Sequence, residues 1–157
     1  MRLVLALGGI VLILDQATKW IALRRLPSGA PLSVIDGFFS LTLVMNPGLA
    51  FGMLGTVPPG WRWVVALLSI GALGVLAAVA TRLLPEGGRV AAVAVGMIFG
   101  GAAGNLIDRA RFGAVVDFLD FYWRGWHWPA FNVADSAISV GVALLALRML
   151  TAPPPQA

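Results

Sequence analysis

Two stretches of this chain carry no charged residue: Trp63 to Thr81, 19 residues long, and Val90 to Ile107, 18 residues long. A helix needs roughly 20 residues to cross about 30 Å of hydrocarbon, so each run is of the length that spans a bilayer. Two further apolar segments extend the pattern. Leu3 to Leu23 is interrupted by Asp15 and Lys19, and Val133 to Leu150 has Asp135 near its start and Arg148 near its end. Only 11% of the 157 residues are charged, less than half the roughly 25% usual in soluble domains. The expected fold is an all-α integral membrane protein. Its four transmembrane helices fall at about 3–23, 63–81, 90–107 and 133–150, within one domain over residues 1–150.

Arg2 and the apolar run Leu3 to Leu14 resemble the start of a secretory leader. Asp15 and Lys19 then stand where a small-residue cleavage site would follow, so the segment is read as a retained span. Gly96, Gly100 and Gly104 recur at four-residue spacing and predict a smooth helix stripe for close contact with a neighbour. Residues 27–60 are expected to form a small β-rich insert outside the membrane. In it Val34-Ile35 and Phe38-Phe39 flank the turn pair Asp36-Gly37, Ser40 to Leu43 alternates polar with apolar, and Pro58-Pro59-Gly60 stops the strand region. Pro85-Glu86-Gly87-Gly88 predicts a tight connection between the second and third spans. The tail 151–157, with three consecutive prolines, is expected to be disordered.

Four spans put both termini on one side with Arg82, Glu86, Arg89 and Arg148. The other face then holds six of the seven acids and all six tryptophans. Lys and Arg number seven on that rich face against four on the termini face, which by the positive-inside rule puts the termini outside. Net charge points the opposite way, about +1 on the rich face (seven minus six) and +3 on the other (four minus one), so charge counting leaves orientation open. The overall charge of +4 is scattered rather than patched, which argues against a nucleic-acid partner. With no cysteine, disulfides, thiolate zinc sites and cysteine nucleophiles are excluded.

Ionisable groups at membrane depth are costly and are functional candidates. Asp15 and Lys19, four apart, share a helix face and can pair, either to fix the helix end or to serve a site. Asp108 and Arg109 close the third span after Asn105 and are adjacent, so they point in different directions; a structural clamp and direct chemistry both fit. Asp117 and Asp135 each sit among apolar residues at a predicted membrane boundary, where an isolated carboxylate is poorly solvated. Brought together, two such groups share one proton, since like charges in a dry site do not both ionise cheaply. That arrangement suits peptide hydrolysis, in which the ionised partner takes a proton from water and the protonated one polarises the scissile carbonyl.

Other chemistries fit less well. Ser136 and Ser139 lie in no G-x-S-x-G context, and Lys19, the only lysine, is the sole candidate for a serine-lysine pair. The lone His127 among tryptophans suggests an interface anchor rather than zinc, so no metal is expected. A non-enzymatic transporter or assembly factor, its acids carrying protons or holding helices together, remains the main rival.

The motifs then converge. Asp15-Gln16-Ala17-Thr18-Lys19, Asn46-Pro47-Gly48-Leu49-Ala50-Phe51-Gly52, Gly104-Asn105-Leu106-Ile107-Asp108-Arg109, Val116-Asp117-Phe118 and Phe131-Asn132-Val133-Ala134-Asp135-Ser136 occur in the order of the lipoprotein signal peptidases. The chain resembles that family, also called signal peptidase II, along its whole length. The resemblance implies an aspartyl endopeptidase of the bacterial inner membrane, without cofactor, that removes the signal peptide of prolipoproteins just before a diacylglyceryl-modified cysteine. It implies Asp117 and Asp135 as catalytic, with Asn105, Asp108, Arg109 and Asn132 supporting them. Asp15, Lys19, Asn46 and Gly48 stabilise the site or line the substrate cleft. It further implies cytoplasmic termini, a site near the outer face, and membrane lipids and lipid-modified prolipoproteins as partners; a monomer is expected, with dimerisation through the glycine stripe left open by the sequence. Leu49 departs from the family's usual alanine, which bears on the width of the cleft. On the same resemblance, the insert at 27–60 is expected to lie along the interface and hold an extended peptide by strand-like pairing.

Overall fold

The structure, a computed structural model, describes residues 1–48 and 62–151. Expectations about Leu49, the Pro58-Pro59-Gly60 stop and the tail beyond Thr151 lie outside the described residues. The elements in chain order are α1 (Arg2–Arg25), β1 (Leu32–Ile35), β2 (Phe39–Asn46), α2 (Arg62–Phe112), β3 (Val115–Trp123), β4 (Trp126–His127) and α3 (Val133–Leu150).

The helix α2 covers 51 residues but is broken at Gly88, whose φ of 58° and ψ of −144° are non-helical. Ser69 and Arg109 line one cavity, although on a straight helix they would stand about 60 Å apart at 1.5 Å per residue. The break therefore turns the chain back on itself, and the two arms of α2 lie side by side. It falls within the expected Pro85-to-Gly88 connection.

Helices Arg2–Arg25, Gly87–Phe112 and Val133–Leu150 are long and apolar enough to cross a membrane, with mean hydropathies of 1.5, 1.9 and 1.7. The expected spans 3–23, 90–107 and 133–150 fall inside them. The remaining one, 63–81, corresponds to the first arm of α2, which holds a shorter apolar helix, Leu67–Thr81. Burial is inverted relative to a water-soluble protein. On α1, Asp15 is 0% exposed and Lys19 2%, whereas Ile13 is 68% exposed. Such a surface is stable where the solvent is hydrocarbon, and the polar groups must then satisfy one another inside.

The predicted glycine stripe packs α2 against α1 within the chain. A Cβ at Gly100 would lie 2.5 Å from the Gly8 carbonyl oxygen, and one at Gly104 would collide with the Asp15 carboxylate. Gly101 makes the corresponding close approach to α3, where a Cβ would lie 2.5 Å from the Ala134 carbonyl oxygen. Small residues at these crossings let backbones approach closely in the absence of a hydrophobic driving force between helices.

The expected hairpin forms, with Gly37 at φ 76° and the Phe38 N–H donating to the Ile35 carbonyl at 3.0 Å. The sheet is larger than the insert, however. It has four antiparallel strands in the order β1-β2-β3-β4, with Ser40 opposite Asp120 and Asn46 opposite Val115. Half its strands come from residues 115–127, which the all-α expectation did not count as strands. Val115-Val116-Asp117-Phe118-Leu119-Asp120-Phe121-Tyr122-Trp123 is rich in β-branched and aromatic residues, and β2 offers the edge on which it pairs. Gly113, at φ 69°, closes α2 by donating its N–H to the Arg109 carbonyl at 2.9 Å, so β3 begins immediately after the helix.

Candidate active site

Three helix ends meet the sheet: the C-terminal turns of α1 and α2 and the N-terminus of α3. Every site residue expected from the sequence is carried by these ends or by the adjoining ends of β2 and β3. Lys19 sits at the centre. Its Nζ lies 2.8 Å from Asp15 Oδ2 and 2.8 Å from Asp108 Oδ2, and it donates to Asn105 Oδ1 at 2.9 Å. An ammonium has three protons, and three acceptors receive them.

The same two carboxylates also hold the other elements. Asp15 Oδ1 accepts from the Ala134 N–H at 2.9 Å, and Asp108 Oδ2 from the Val116 N–H at 3.1 Å. Asp15 thereby locates the start of α3, and Asp108 the start of β3. Gln16 adds a bridge, donating to Asp15 Oδ2 at 3.2 Å and to Asp108 Oδ1 at 3.0 Å. Gln16 lies inside the Asp15-to-Lys19 motif, and its part in the site is not among the sequence expectations. The signal for it in the sequence is an uncharged amide at membrane depth, one residue after Asp15.

Asp117 and Asp135 differ in kind from Asp15 and Asp108. Their bonded partners are neutral amides. Asp117 Oδ1 accepts from Asn132 Nδ2 at 2.7 Å and Oδ2 from Asn46 Nδ2 at 3.0 Å. Asp135 Oδ1 accepts from Asn105 Nδ2 at 2.8 Å, and its Oδ2 from the Asn132 N–H at 3.3 Å. Asn132 is the N-cap of α3, with its own Oδ1 accepting from the Asp135 N–H at 2.9 Å, which completes a capping box. Asparagine is among the best N-cap residues, and here the cap also delivers an amide to the second acid.

Without a bonded cation, burial dominates at Asp117, and its carboxyl is pushed up to about 7. Loss of hydration is the largest cause. The Asn46 bond opposes it, the charge of Asp135 adds to it, and the Asn132 bond and the more distant Lys19 oppose it again. A carboxyl poised near 7 beside a second carboxyl is suited to proton transfer at neutral pH.

Arg109 makes no ion pair among the described residues. It donates to the Gly48 carbonyl at 3.0 Å and to the Asn105 carbonyl at 3.4 Å. The Gly48 N–H in turn donates to Asn46 Oδ1 at 3.0 Å. Arg109, Gly48 and Asn46 thus form a chain of bonds that ends on Asp117 and fixes the exit of β2 against the site.

Both candidate acids open onto a cavity of about 620 Å³ between the arms of α2 and α3. Its polar end is formed by Asn46, Asn105, Arg109, Asp117 and Asp135, and its walls by apolar residues including Leu73, Leu76, Ile98, Ile138, Val142 and Leu145. The cavity is therefore amphipathic, with two carboxylates among its polar lining and a hydrocarbon-lined body.

The alternative nucleophile is not assembled. The Ser136 hydroxyl donates to the Asn132 carbonyl at 3.0 Å, and the protons of Lys19 go to the acceptors named above. His127 lies on the sheet, its Nδ1 3.0 Å from Asp120 Oδ1, and its ring stacks on Tyr122. Among the described residues no group of three or more His, Cys, Asp or Glu is placed to hold a metal ion.

This architecture is that of known bacterial membrane enzymes. One, solved by the in meso method at 2.3 Å, superimposes with a TM-score of 0.77 at 28% identity, covering 100% of this chain and 95% of that one. Another, solved by the same method at 1.9 Å, gives 0.76 at 30% identity, covering 98% and 96%. The class is thus a multi-pass bacterial membrane enzyme. Residues 7–151 match the family described as Signal peptidase (SPase) II. Among similar proteins, the lipoprotein signal peptidase of Geobacter sulfurreducens is 52% identical over 139 residues, 88% of this chain and 86% of its own. That of Nitratidesulfovibrio vulgaris is 43% identical over 156 residues, 99% and 93%. The chain belongs to the signal peptidase II family, a family of aspartyl proteases.

Proposed function

We propose that this enzyme removes the signal peptide from prolipoproteins by cutting on the N-terminal side of a diacylglyceryl-modified cysteine, with water activated between Asp117 and Asp135. The observation that carries the proposal is the division of the buried acids. Asp15 and Asp108 share Lys19, while Asp117 and Asp135 are bonded by neutral amides and face the cavity. The first pair is electrostatically committed to structure, and the second is left free to exchange a proton.

In the proposed reaction the pair holds one proton. The ionised carboxylate accepts a proton from the attacking water, and the protonated partner donates a hydrogen bond to the scissile carbonyl oxygen. The oxygen of water bonds to the carbonyl carbon, the C–N bond breaks, and the amine leaves with the proton that the carboxylate took up. Asn105 and Asn132 hold the two carboxylates in register and Asn46 the outer oxygen of Asp117, so little reorganisation is needed as charge develops. The apolar body of the cavity takes acyl chains, which supports a lipidated substrate over a soluble peptide.

The membrane arrangement belongs to the same proposal. Both arms of α2 cross the bilayer with α1 and α3, giving four spans in the bacterial inner membrane. The start of α1 and the end of α3 both lie at the helix ends away from the sheet, so a sheet and active site near the outer face leave both termini in the cytoplasm. The sheet lies along that interface beside the peptide, and the enzyme acts as a monomer. The test is dependence on lipidation. Purified enzyme should cut a prolipoprotein peptide whose cysteine bears diacylglycerol and leave its unlipidated counterpart intact; equal cleavage of the two would remove the proposed specificity.

A further inference from the structure

A second cavity, of about 250 Å³, lies between the C-terminal turn of α1 and the sheet. Leu32, Leu41, Phe118 and Ile21 supply its apolar walls, and Arg25 stands at its edge. Thr18, also on its lining, directs its hydroxyl to the Leu14 and Asp15 carbonyls at 2.8 and 2.9 Å, so it is already satisfied within the helix. Arg25 is different. It is exposed and forms no ion pair among the described residues.

Position decides what fills such a notch. Arg25 is the last residue of a 24-residue apolar helix, which puts it at the depth of lipid headgroups. The preceding turn supports that depth, since the Arg24 guanidinium lies 4.2 Å above the ring of Trp20, a residue type that favours the interface. The helix surface leading up to the notch is already lipid-facing, with Leu14 and Ile21 exposed. A lipid chain entering along that surface meets an apolar recess, and its headgroup meets a cation.

We propose that this notch is a binding site for an anionic phospholipid, with an acyl-chain segment against Leu32, Leu41 and Phe118 and the phosphate on Arg25. The neighbouring positive charges of Arg24 and Arg25 favour a headgroup with net negative charge over a zwitterion. The site lies behind the catalytic strand. Phe118 lines the notch while Asp117, its neighbour on β3, lines the large cavity, because adjacent strand residues point to opposite faces. A bound lipid therefore supports β3 from the side away from the reaction. The proposal does not depend on the peptidase reading, and binding can be measured without turnover.

The test uses the full chain in detergent and phosphatidylglycerol carrying a photoactivatable acyl chain, with the labelled peptides mapped after illumination. Label should concentrate on the segments bearing Ile21, Leu32, Leu41 and Phe118. Unlabelled phosphatidylglycerol should displace it about fivefold more effectively than phosphatidylcholine, and Arg25→Gln, at an exposed position, should abolish that preference while leaving the melting temperature unchanged. Even labelling of all lipid-facing helices, equal displacement by phosphatidylcholine, or a preference that survives Arg25→Gln would overturn the proposal. Displacement by inorganic phosphate at the same concentration would do so too, by showing an anion site with no role for the chain.

Discussion

Asn132 donates to Asp117 across 2.7 Å, and the same residue caps the helix on which Asp135 is the third residue. One side chain therefore connects the two candidate catalytic acids, one on a strand and the other on a helix. Replacing Asn132 by Ala should cost about 1 kcal/mol as a lost cap. It should also lower kcat by more than about tenfold with little change in KM, since in the proposed reaction the two acids it holds act on the scissile bond. Steady-state kinetics alongside thermal unfolding would separate the two effects; a matched loss in stability alone would assign Asn132 a structural role only.

The Lys19 ammonium is the cation that both buried carboxylates, Asp15 and Asp108, contact at 2.8 Å. Lys19→Met should leave two buried carboxylates without a cation, a loss of about 3–5 kcal/mol. Thermal unfolding in detergent should show a large fall in melting temperature. A variant as stable as the parent would mean that the two acids are held mainly by the backbone N–H groups of Ala134 and Val116.

Gly104 packs on Asp15 so closely that a Cβ would displace the carboxylate, whereas a Cβ at Gly9 would meet nothing within 4 Å. Gly104→Ala should destabilise by roughly 1–3 kcal/mol through overpacking. Gly9→Ala should be neutral or slightly stabilising, as expected for glycine in a helix. Equal melting temperatures for the two variants would contradict the packing described for α1 and α2.

Asp117 predicts a pH dependence with a definite sign. Its carboxyl is held near 7 in the folded protein, above the value of about 4 for an unfolded chain. Between those values the folded state binds more protons than the unfolded state, so stability falls as pH rises through this window and the loss is complete above about 7. Asp117→Asn, which does not titrate there, should flatten that slope in melting curves recorded from pH 4.5 to 8. An unchanged slope would place the titrating group elsewhere.

Some of this structure is written in the chain at short range. Asp15 and Lys19 are one helical turn apart, and their ion pair follows from that spacing. The glycines at 96, 100 and 104 likewise announce a close helix contact, although not with which helix. The bond from Lys19 to Asp108 is of another kind. The two lie on separate helices, and no local period links them. The strand β3 is not legible locally because Asp117 and Asp120, three apart, break the alternation that marks a half-buried strand, and both are retained there by partners on other segments: Asn46 and Asn132 for Asp117, Ser40 and His127 for Asp120. Asn105 and Asn132 stand out in the sequence only through motif resemblance, since an asparagine in an apolar run carries no sign of which acid it will bond.

The most direct measurement is cleavage of a diacylglyceryl-modified prolipoprotein peptide by the parent enzyme, Asp117→Asn and Asp135→Asn, each first shown to be folded by its melting curve. A proton-sharing pair predicts turnover by the parent and a loss of at least about a thousandfold in both variants, since neither carboxylate does the work of the other. Activity that survives either substitution in a folded protein, or a folded parent that cuts no such peptide, would contradict the two-aspartate account.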